Sequence, residues 1–107
     1  MGLFFNRKPQ VQEPQEATKN LTIGDTKENV YSYLQQSFGR FVLTNDGENI
    51  EVEMKIAGAG TIHYYMRVMR YGPSSQILLR IVTSGISADK AVDEFVKSLK
   101  KKFSVTC

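Results

Sequence analysis

The sequence predicts a two-layer α+β domain: a four-stranded antiparallel meander, strand order 1-2-3-4, with an N-terminal and a C-terminal helix on one face (α-β-β-β-β-α). Four segments in the middle of the 107-residue chain alternate between apolar and polar side chains, which is typical of strands with one buried face. The segments before and after them repeat apolar residues every three or four positions, which is typical of amphipathic helices. One core shared by two layers would bury all of these apolar faces.

The first helix is predicted at about residues 26–38. Asp25 or Thr26 is placed to cap its first turn, and Gly39 follows as a natural end. The apolar stripe that defines its buried face consists of Val30, Leu34 and Phe38.

The four predicted strands cover residues 40–45, 49–57, 61–71 and 76–83. The second is the most regular, with four apolar residues on one side and Glu51, Glu53 and Lys55 on the other. A strict period of two over such lengths assigns each side chain to the core face or to the opposite face.

Turn chemistry predicts how the first three strands pair. Asp46-Gly47 favours a two-residue hairpin, which sets Leu43 opposite Ile50. A three-residue loop at Gly58-Ala59-Gly60 sets Met54 opposite Tyr64.

The third turn leaves two alternatives. Closure on Gly72-Pro73 sets Val68 opposite Ile77, whereas closure on Pro73-Ser74 sets Arg67 opposite Arg80. The repulsion between two arginines favours the first alternative.

The second helix is predicted to begin after Ser87, a good N-cap residue. Lysines 100, 101 and 102 fall at its C-terminal end, where the helix dipole favours positive charge. Its apolar stripe consists of Val92, Phe95, Val96, Leu99 and Phe103.

Residues 1–20 are predicted to be a flexible N-terminal tail, and residues 21–107 a single α+β domain. Residues 6–20 hold two prolines, three glutamines and almost nothing apolar, so they offer little to offset the entropy cost of ordering. The segment Leu3-Phe4-Phe5, followed by two basic residues, is a weak candidate for contact with a membrane surface or a partner.

Composition narrows the functional class. With 41% hydrophobic and 23% charged residues, the chain is neither collagenous nor wholly disordered. The single cysteine, Cys107, cannot form an intrachain disulfide, so a cytoplasmic location is expected. No apolar run approaches the roughly 20 residues of a membrane span.

No catalytic residue, cofactor or metal is expected. His63 is the only histidine and has no cysteine or carboxylate cluster at ligand spacing. As a base it has no evident nucleophile. The Gly58-Ala59-Gly60 segment is too short for a dinucleotide-binding loop and precedes a strand.

The predicted arrangement leaves the second face of the sheet open, and this face carries the main functional hypothesis. Its third and fourth strands show a mixture of aromatic, apolar and arginine side chains, types that are enriched at protein interfaces. The predicted partner-binding residues are Tyr65, Arg67, Met69, Tyr71, Leu78, Arg80 and Val82. The fourth strand is also predicted to be a free edge of the sheet.

The first hypothesis is therefore a small, non-enzymatic interaction domain, an adaptor or chaperone-like protein that binds a protein partner or forms a homodimer. The order helix, meander, helix is similar to that of small secretion-chaperone-like domains, which is a resemblance in architecture only. The competing explanation of the open face is strand propensity alone, which enriches tyrosine and β-branched residues.

Two further hypotheses remain open. Residues 54–107 carry nine basic and three acidic side chains, which favours a module that binds single-stranded nucleic acid. Its predicted contacts are Arg67, Arg80, Lys97, Lys100, Lys101 and Lys102. The last hypothesis is an enzyme or small-ligand binder with a pocket between helices and sheet near Tyr64.

Overall fold

A computed structural model describes residues 14–107 and shows an α+β fold with two helices on one antiparallel sheet. The predicted fold class is confirmed, but the predicted number of strands is wrong, since the described residues form six strands in one sheet. The elements in chain order are β1 (Gln15–Ile23), α1 (Lys27–Phe38), β2 (Val42–Asn45), β3 (Asn49–Ile56), β4 (Gly60–Tyr71), β5 (Ser74–Ser84), α2 (Ala88–Lys100) and β6 (Val105–Thr106).

The strand order is β2-β3-β4-β5-β1-β6, with every neighbouring pair antiparallel. Strands β2 to β5 are the predicted meander. Strand β1 lies on the far side of β5, and β6 pairs with the end of β1. The prediction that the last strand of the meander is a free edge is therefore wrong, because β5 has neighbours on both sides.

Residues 15–20 correct the predicted tail, because they form most of strand β1. This strand pairs with β5 over nine residues, from Gln15 opposite Thr83 to Ile23 opposite Ser75. Leu21 and Ile23 are its fully buried side chains, and Ala17 packs partly against the core. Its more polar first half is held mainly by backbone pairing with β5, and the Gln15 side chain also accepts a hydrogen bond from the Ala88 N–H at 3.0 Å. Residues 1–13, including the Leu3-Phe4-Phe5 segment, lie outside the described part of the chain.

The core lies between one face of the sheet and both helices. Helix α1 contributes Val30 and Leu34, and α2 contributes five of the buried side chains, Phe95 and Leu99 among them. The strands contribute every second residue, listed as Leu21, Ile23, Ile50, Val52, Ile62, Tyr64, Met66, Val68, Ile77, Leu79 and Ile81. The intervening residues of β3, β4 and β5 consequently point to the other face.

Short polar side chains begin both helices. Thr26 is the N-cap of α1 and accepts a hydrogen bond from the Asn29 N–H at 3.2 Å, while Ser87 caps α2 by accepting from the Lys90 N–H at 3.3 Å. Gly39 ends α1 at a φ of +50°, a conformation that favours glycine. Of the two predicted caps for α1, the structure therefore selects Thr26.

The turn between β2 and β3 differs from its prediction. Asn45 pairs with Ile50, and the Asp46 N–H donates to the Asn49 carbonyl at 3.2 Å, so the loop has four residues rather than two. An irregularity between Val42 and Thr44 turns Val42 toward the core and leaves Leu43 52% exposed. The predicted pairing of Leu43 with Ile50 is therefore wrong.

The β3–β4 hairpin differs from its predicted register, and the β4–β5 hairpin agrees with its own. Ile56 pairs with Gly60, which sets Met54 opposite Ile62 instead of Tyr64. This shift of two residues leaves every side chain on its predicted face. In the β4–β5 hairpin Val68 lies opposite Ile77, as closure on Gly72-Pro73 predicts.

Candidate functional site

The sheet face opposite the helices, here named the outer face, is the candidate functional site. It holds all seven predicted partner-binding residues, four on β4 and three on β5, listed in order as Tyr65, Arg67, Met69, Tyr71, Leu78, Arg80 and Val82. Strand pairing sets Tyr65 beside Arg80 and Arg67 beside Leu78. The structure thus brings these seven residues together on two neighbouring strands.

The apolar members of this face differ in exposure. Tyr71 is 56% exposed and Leu78 is 36% exposed, which is high for side chains of their size. Tyr65, Met69 and Val82 are half-buried among their neighbours. Because no helix of residues 14–107 covers the outer face, these side chains form an accessible apolar strip along two rigid strands.

Tyr65 and Arg80 form the centre of the outer face. The Arg80 guanidinium lies over the Tyr65 ring, 4.8 Å from its centroid, and its Nε donates to Glu16 Oε2 at 2.9 Å. On the other side, the His63 ring stacks on Tyr65 with centroids 5.2 Å apart and planes 7° apart. A row of four side chains therefore crosses β4, β5 and β1 and holds the Tyr65 ring in place.

Glu16 is a neighbour of the candidate site that was not predicted, because it lies in the segment predicted to be a tail. Its hydrogen bond and charge raise the pKa of Arg80 above its usual value. The signal that points to it is the alternation of Asn20, Leu21, Thr22 and Ile23, which continues backward from the buried end of β1.

The second arginine of the outer face is also paired. Arg67 Nε donates to Glu48 Oε2 at 3.1 Å, with about half of the arginine side chain exposed. Exposed pairs of this kind contribute at most about 1 kcal/mol to stability. Their main effect here is on charge. Because both arginines face a carboxylate, the outer face carries little net positive charge.

His63 stands next to Glu51 and Tyr65 on the outer face. Its Nε2 lies 3.4 Å from Glu51 Oε2, yet this buried atom makes no hydrogen bond within residues 14–107. The same residues hold no group of three or more His, Cys, Asp or Glu that fits a metal ion.

A shallow groove crosses the outer face between β2 and β5. It has a volume of about 240 Å³, and its lining includes Tyr65, Arg67, Leu78 and Arg80. Pockets that enclose drug-sized ligands are usually about 300–1,000 Å³, so this groove is small for that purpose. Its size fits one side chain of a protein partner.

The predicted nucleic-acid contacts are not brought together. Arg67 and Arg80 lie on the outer face, whereas Lys97 and Lys100 belong to α2, in the layer on the opposite side of the sheet. Lys101 and Lys102 follow directly after α2. A single strand could not contact both groups without wrapping around the edge of the sheet.

The position near Tyr64, where the sequence analysis considered a pocket, holds a cleft of about 240 Å³ among aromatic side chains. Phe38 approaches the Tyr64 ring at 4.8 Å, and Phe95 lies 6.1 Å from it. Burial raises the pKa of the Tyr64 hydroxyl, so this group stays neutral at physiological pH. The cleft is lined mainly by aromatic side chains, together with Ser37, Ser98 and Glu94.

No family model, curated protein or solved structure matches this chain. No helix within residues 14–107 is both long enough and apolar enough to cross a bilayer. Function must therefore be inferred from the chemistry of the molecule's own surfaces.

Proposed function

We propose that this chain is a small, non-enzymatic protein-interaction domain, an adaptor or chaperone-like protein that binds a protein partner through the outer face. The observation that carries this proposal is the accessible apolar strip on β4 and β5, in which Leu78 is exposed next to the ordered Tyr65–Arg80 pair and Tyr71 is exposed at the hairpin end of β4. Tyrosine, methionine and arginine are enriched at protein interfaces, and rigid strands present them at low entropic cost.

The local charges favour a partner with a mixed, largely neutral surface. Each outer-face arginine is paired with a glutamate, so an acidic partner gains little there. An apolar side chain entering the groove beside Leu78 would displace water from the Tyr65 ring and from the stem of Arg80. We expect one such anchor to dominate the binding energy.

A second copy of the chain is the alternative occupant. Because β5 is covered by β1, two copies cannot pair through β5, and a homodimer would have to stack face to face. Light scattering over a range of concentrations distinguishes the two occupants. A dimer that the Tyr65→Ser, Leu78→Ser double variant abolishes would identify the second copy as the partner.

The main test compares partner capture by the unmodified chain and by the Tyr65→Ser, Leu78→Ser double variant. Affinity capture from the native host, read by mass spectrometry, should recover specific proteins with the unmodified chain and lose them with the variant. Both side chains point away from the core, so the variant should fold and give an unchanged circular dichroism spectrum.

A matched control uses exposed apolar residues elsewhere on the sheet. Leu43 and Ile56 are 52% and 40% exposed and do not belong to the seven outer-face residues. The Leu43→Ser, Ile56→Ser double variant should capture the same proteins as the unmodified chain. Capture that survives the Tyr65 and Leu78 changes would contradict the proposal, and loss of folding would show that these residues are part of the core.

The nucleic-acid alternative has its own test. Titration with a single-stranded RNA and a single-stranded DNA of mixed sequence, at 50 and 200 mM salt, should show no salt-dependent binding that depends on the outer face, because both outer-face arginines are paired. Affinity that falls steeply between the two salt concentrations and is lost in the Tyr65→Ser, Leu78→Ser variant would replace the protein-interaction proposal with nucleic-acid binding.

A further inference from the structure

Among residues 14–107, strand β1 has a second side that is mostly unpaired. It pairs with β5 along all nine residues, but with β6 only at Thr22 and Ile23. Within residues 14–107, the backbone of residues 15–21 therefore has no neighbouring strand on the edge that faces away from β5. Unpaired N–H and C=O groups along a strand are a template for an additional strand.

A groove opens beside Lys19 on this unpaired side of β1. It lies between β1 and α2, has a volume of about 600 Å³, and is lined on the strand side by Lys19. Helix α2 contributes Val96, which is almost buried, as the apolar part of the lining, and Cys107, just after β6, also lines the groove. An added strand would thus lie next to β1, with α2 covering one of its faces and β6 limiting its length at Thr22.

The charge of the groove favours an acidic occupant. Four lysines line it, Lys19, Lys90, Lys97 and Lys100, against the two acids Asp93 and Glu94. Glu94 lies 3.8 Å from Lys97, and neither residue is within ion-pair distance of another of these groups. Three lysines thus have no carboxylate within 4.0 Å among the described residues.

We propose that this unpaired side of β1 is a second binding surface, which takes an extended acidic segment of a partner protein as an added strand. The segment would run antiparallel to β1, in line with β6, and would place alternate acidic side chains toward the lysines of α2. Backbone hydrogen bonds supply affinity in this mode of recognition, and alternate side chains supply specificity.

The register along β1 also defines what the other side chains of the segment should be. Residues 17 and 19 share the face covered by α2, whereas Glu16, Thr18 and Asn20 share the outer face. Acidic residues therefore belong at the positions that face α2. Small neutral residues such as threonine belong at the alternate positions, where Arg80 is already paired with Glu16 and offers a carboxylate little attraction.

A second copy of the chain fits this surface poorly. Two antiparallel β1 strands, related by a two-fold axis perpendicular to the sheet, would keep both helical layers on the same side of a continuous sheet. The lysine-rich sides of the two α2 helices would then face each other across the junction, which is unfavourable. An acidic segment meets no such repulsion.

The test uses a fluorescein-labelled heptapeptide of alternating threonine and aspartate, with a threonine–lysine heptapeptide as its counterpart. Fluorescence polarisation with the full chain should show binding of the aspartate peptide alone, weaker at 200 mM than at 50 mM salt. The Lys97→Glu, Lys100→Glu double variant should weaken binding about tenfold or more. The Lys27→Glu, Lys55→Glu double variant is the matched control, since it changes the net charge by the same amount at positions outside the groove. It should bind the aspartate peptide as the unmodified chain does.

Hydrogen exchange measured by NMR locates the bound peptide. The peptide should slow exchange at alternate amides of residues 15–21, those that point away from β5. The Tyr65→Ser, Leu78→Ser variant should still bind the peptide, which separates this proposal from the proposed function of the outer face. Equal binding of the two peptides, or protection confined to the outer face, would overturn the proposal.

The free chain gives two further outcomes that would overturn it. Slow exchange of these amides at every protein concentration would show that residues 1–13 already cover β1. Slow exchange that develops only as protein concentration rises would show that a second copy covers it.

Discussion

Asp46 shows how a single side chain decides the geometry of a turn. Its carboxylate accepts hydrogen bonds from the backbone N–H groups of Asn49 and Glu48 at 2.6 and 3.0 Å, and from the Asn49 side-chain amide at 3.2 Å. The hydrogen bond from the Asn49 backbone is the largest cause that lowers the pKa of Asp46 from 3.8 to about 2. The Gly47 N–H donates to the Tyr31 hydroxyl at 2.8 Å, which ties the same turn to α1.

The lowered pKa predicts a pH dependence of stability. Because the folded state holds the ionised carboxylate, Asp46 contributes stability above pH 4, and this contribution is lost as the pH falls from about 4 through about 2. Asp46→Asn should therefore lower the urea midpoint at pH 5 and should differ much less from the unmodified chain at pH 2. Asp93→Asn, an exposed acid on α2, serves as the control. A midpoint difference for Asp46→Asn that is constant with pH would show that the charge is not what stabilises the turn.

At the scale of the element, the β3–β4 hairpin depends on one close backbone approach. Gly60 has a φ of +151°, and a Cβ added there would lie 1.9 Å from the Ser84 carbonyl oxygen of β5. Gly58, in the same turn, has a φ of +78°, but a Cβ there would meet nothing within 4 Å. A substitution at Gly58 therefore measures the cost of backbone strain alone, whereas a substitution at Gly60 also measures the cost of a steric clash.

Alanine substitutions at these two positions should differ in cost. Gly58→Ala should lower the free energy of unfolding by about 1–2 kcal/mol, the cost of a left-handed residue with a Cβ. Gly60→Ala should cost about 3 kcal/mol or more, because β4 and β5 must separate to admit the new atom. Guanidinium unfolding of both variants makes the comparison, and equal losses would show that β5 yields to the added Cβ.

Hairpin registers were harder to predict than strand faces, for a physical reason. A shift of two residues preserves the inward or outward direction of every side chain, so the alternation that identified β3 and β4 does not decide whether Met54 lies opposite Ile62 or Tyr64. The β4–β5 register was predictable because the competing closure placed two arginines opposite each other. In β2 the irregularity beside Leu43 reversed the predicted faces of Val42 and Leu43, and no alternation in so short a segment indicates it.

At the scale of the whole molecule, the two ends of the described chain meet on one side of the sheet. Strand β1 lies between β5 and β6, so the sheet joins segments that are far apart in sequence. Residues 15–20 were predicted to be a tail because their composition is polar. A strand held by backbone pairing needs few apolar side chains, so composition does not reveal it. The outer-face residues were still predicted correctly as neighbours, because their positions depend on the alternation within β4 and β5. The Glu16–Arg80 pair and the unpaired side of β1 required the tertiary arrangement.

Whether β1 belongs to the cooperative core is testable with two substitutions in the same strand. Leu21 is fully buried between the sheet and the helices, so Leu21→Ala should lower the free energy of unfolding by about 2–5 kcal/mol, a large share of the total of about 5–15 kcal/mol typical of a domain. Thr18→Ala, on the exposed outer face three residues earlier, should change it by about 0.5 kcal/mol or less. Urea unfolding followed by tyrosine fluorescence and by far-ultraviolet circular dichroism should give one coincident transition for both variants. If Leu21→Ala cost less than Thr18→Ala, β1 would be an appendage of a four-stranded core, and its unpaired side could not be a stable docking surface.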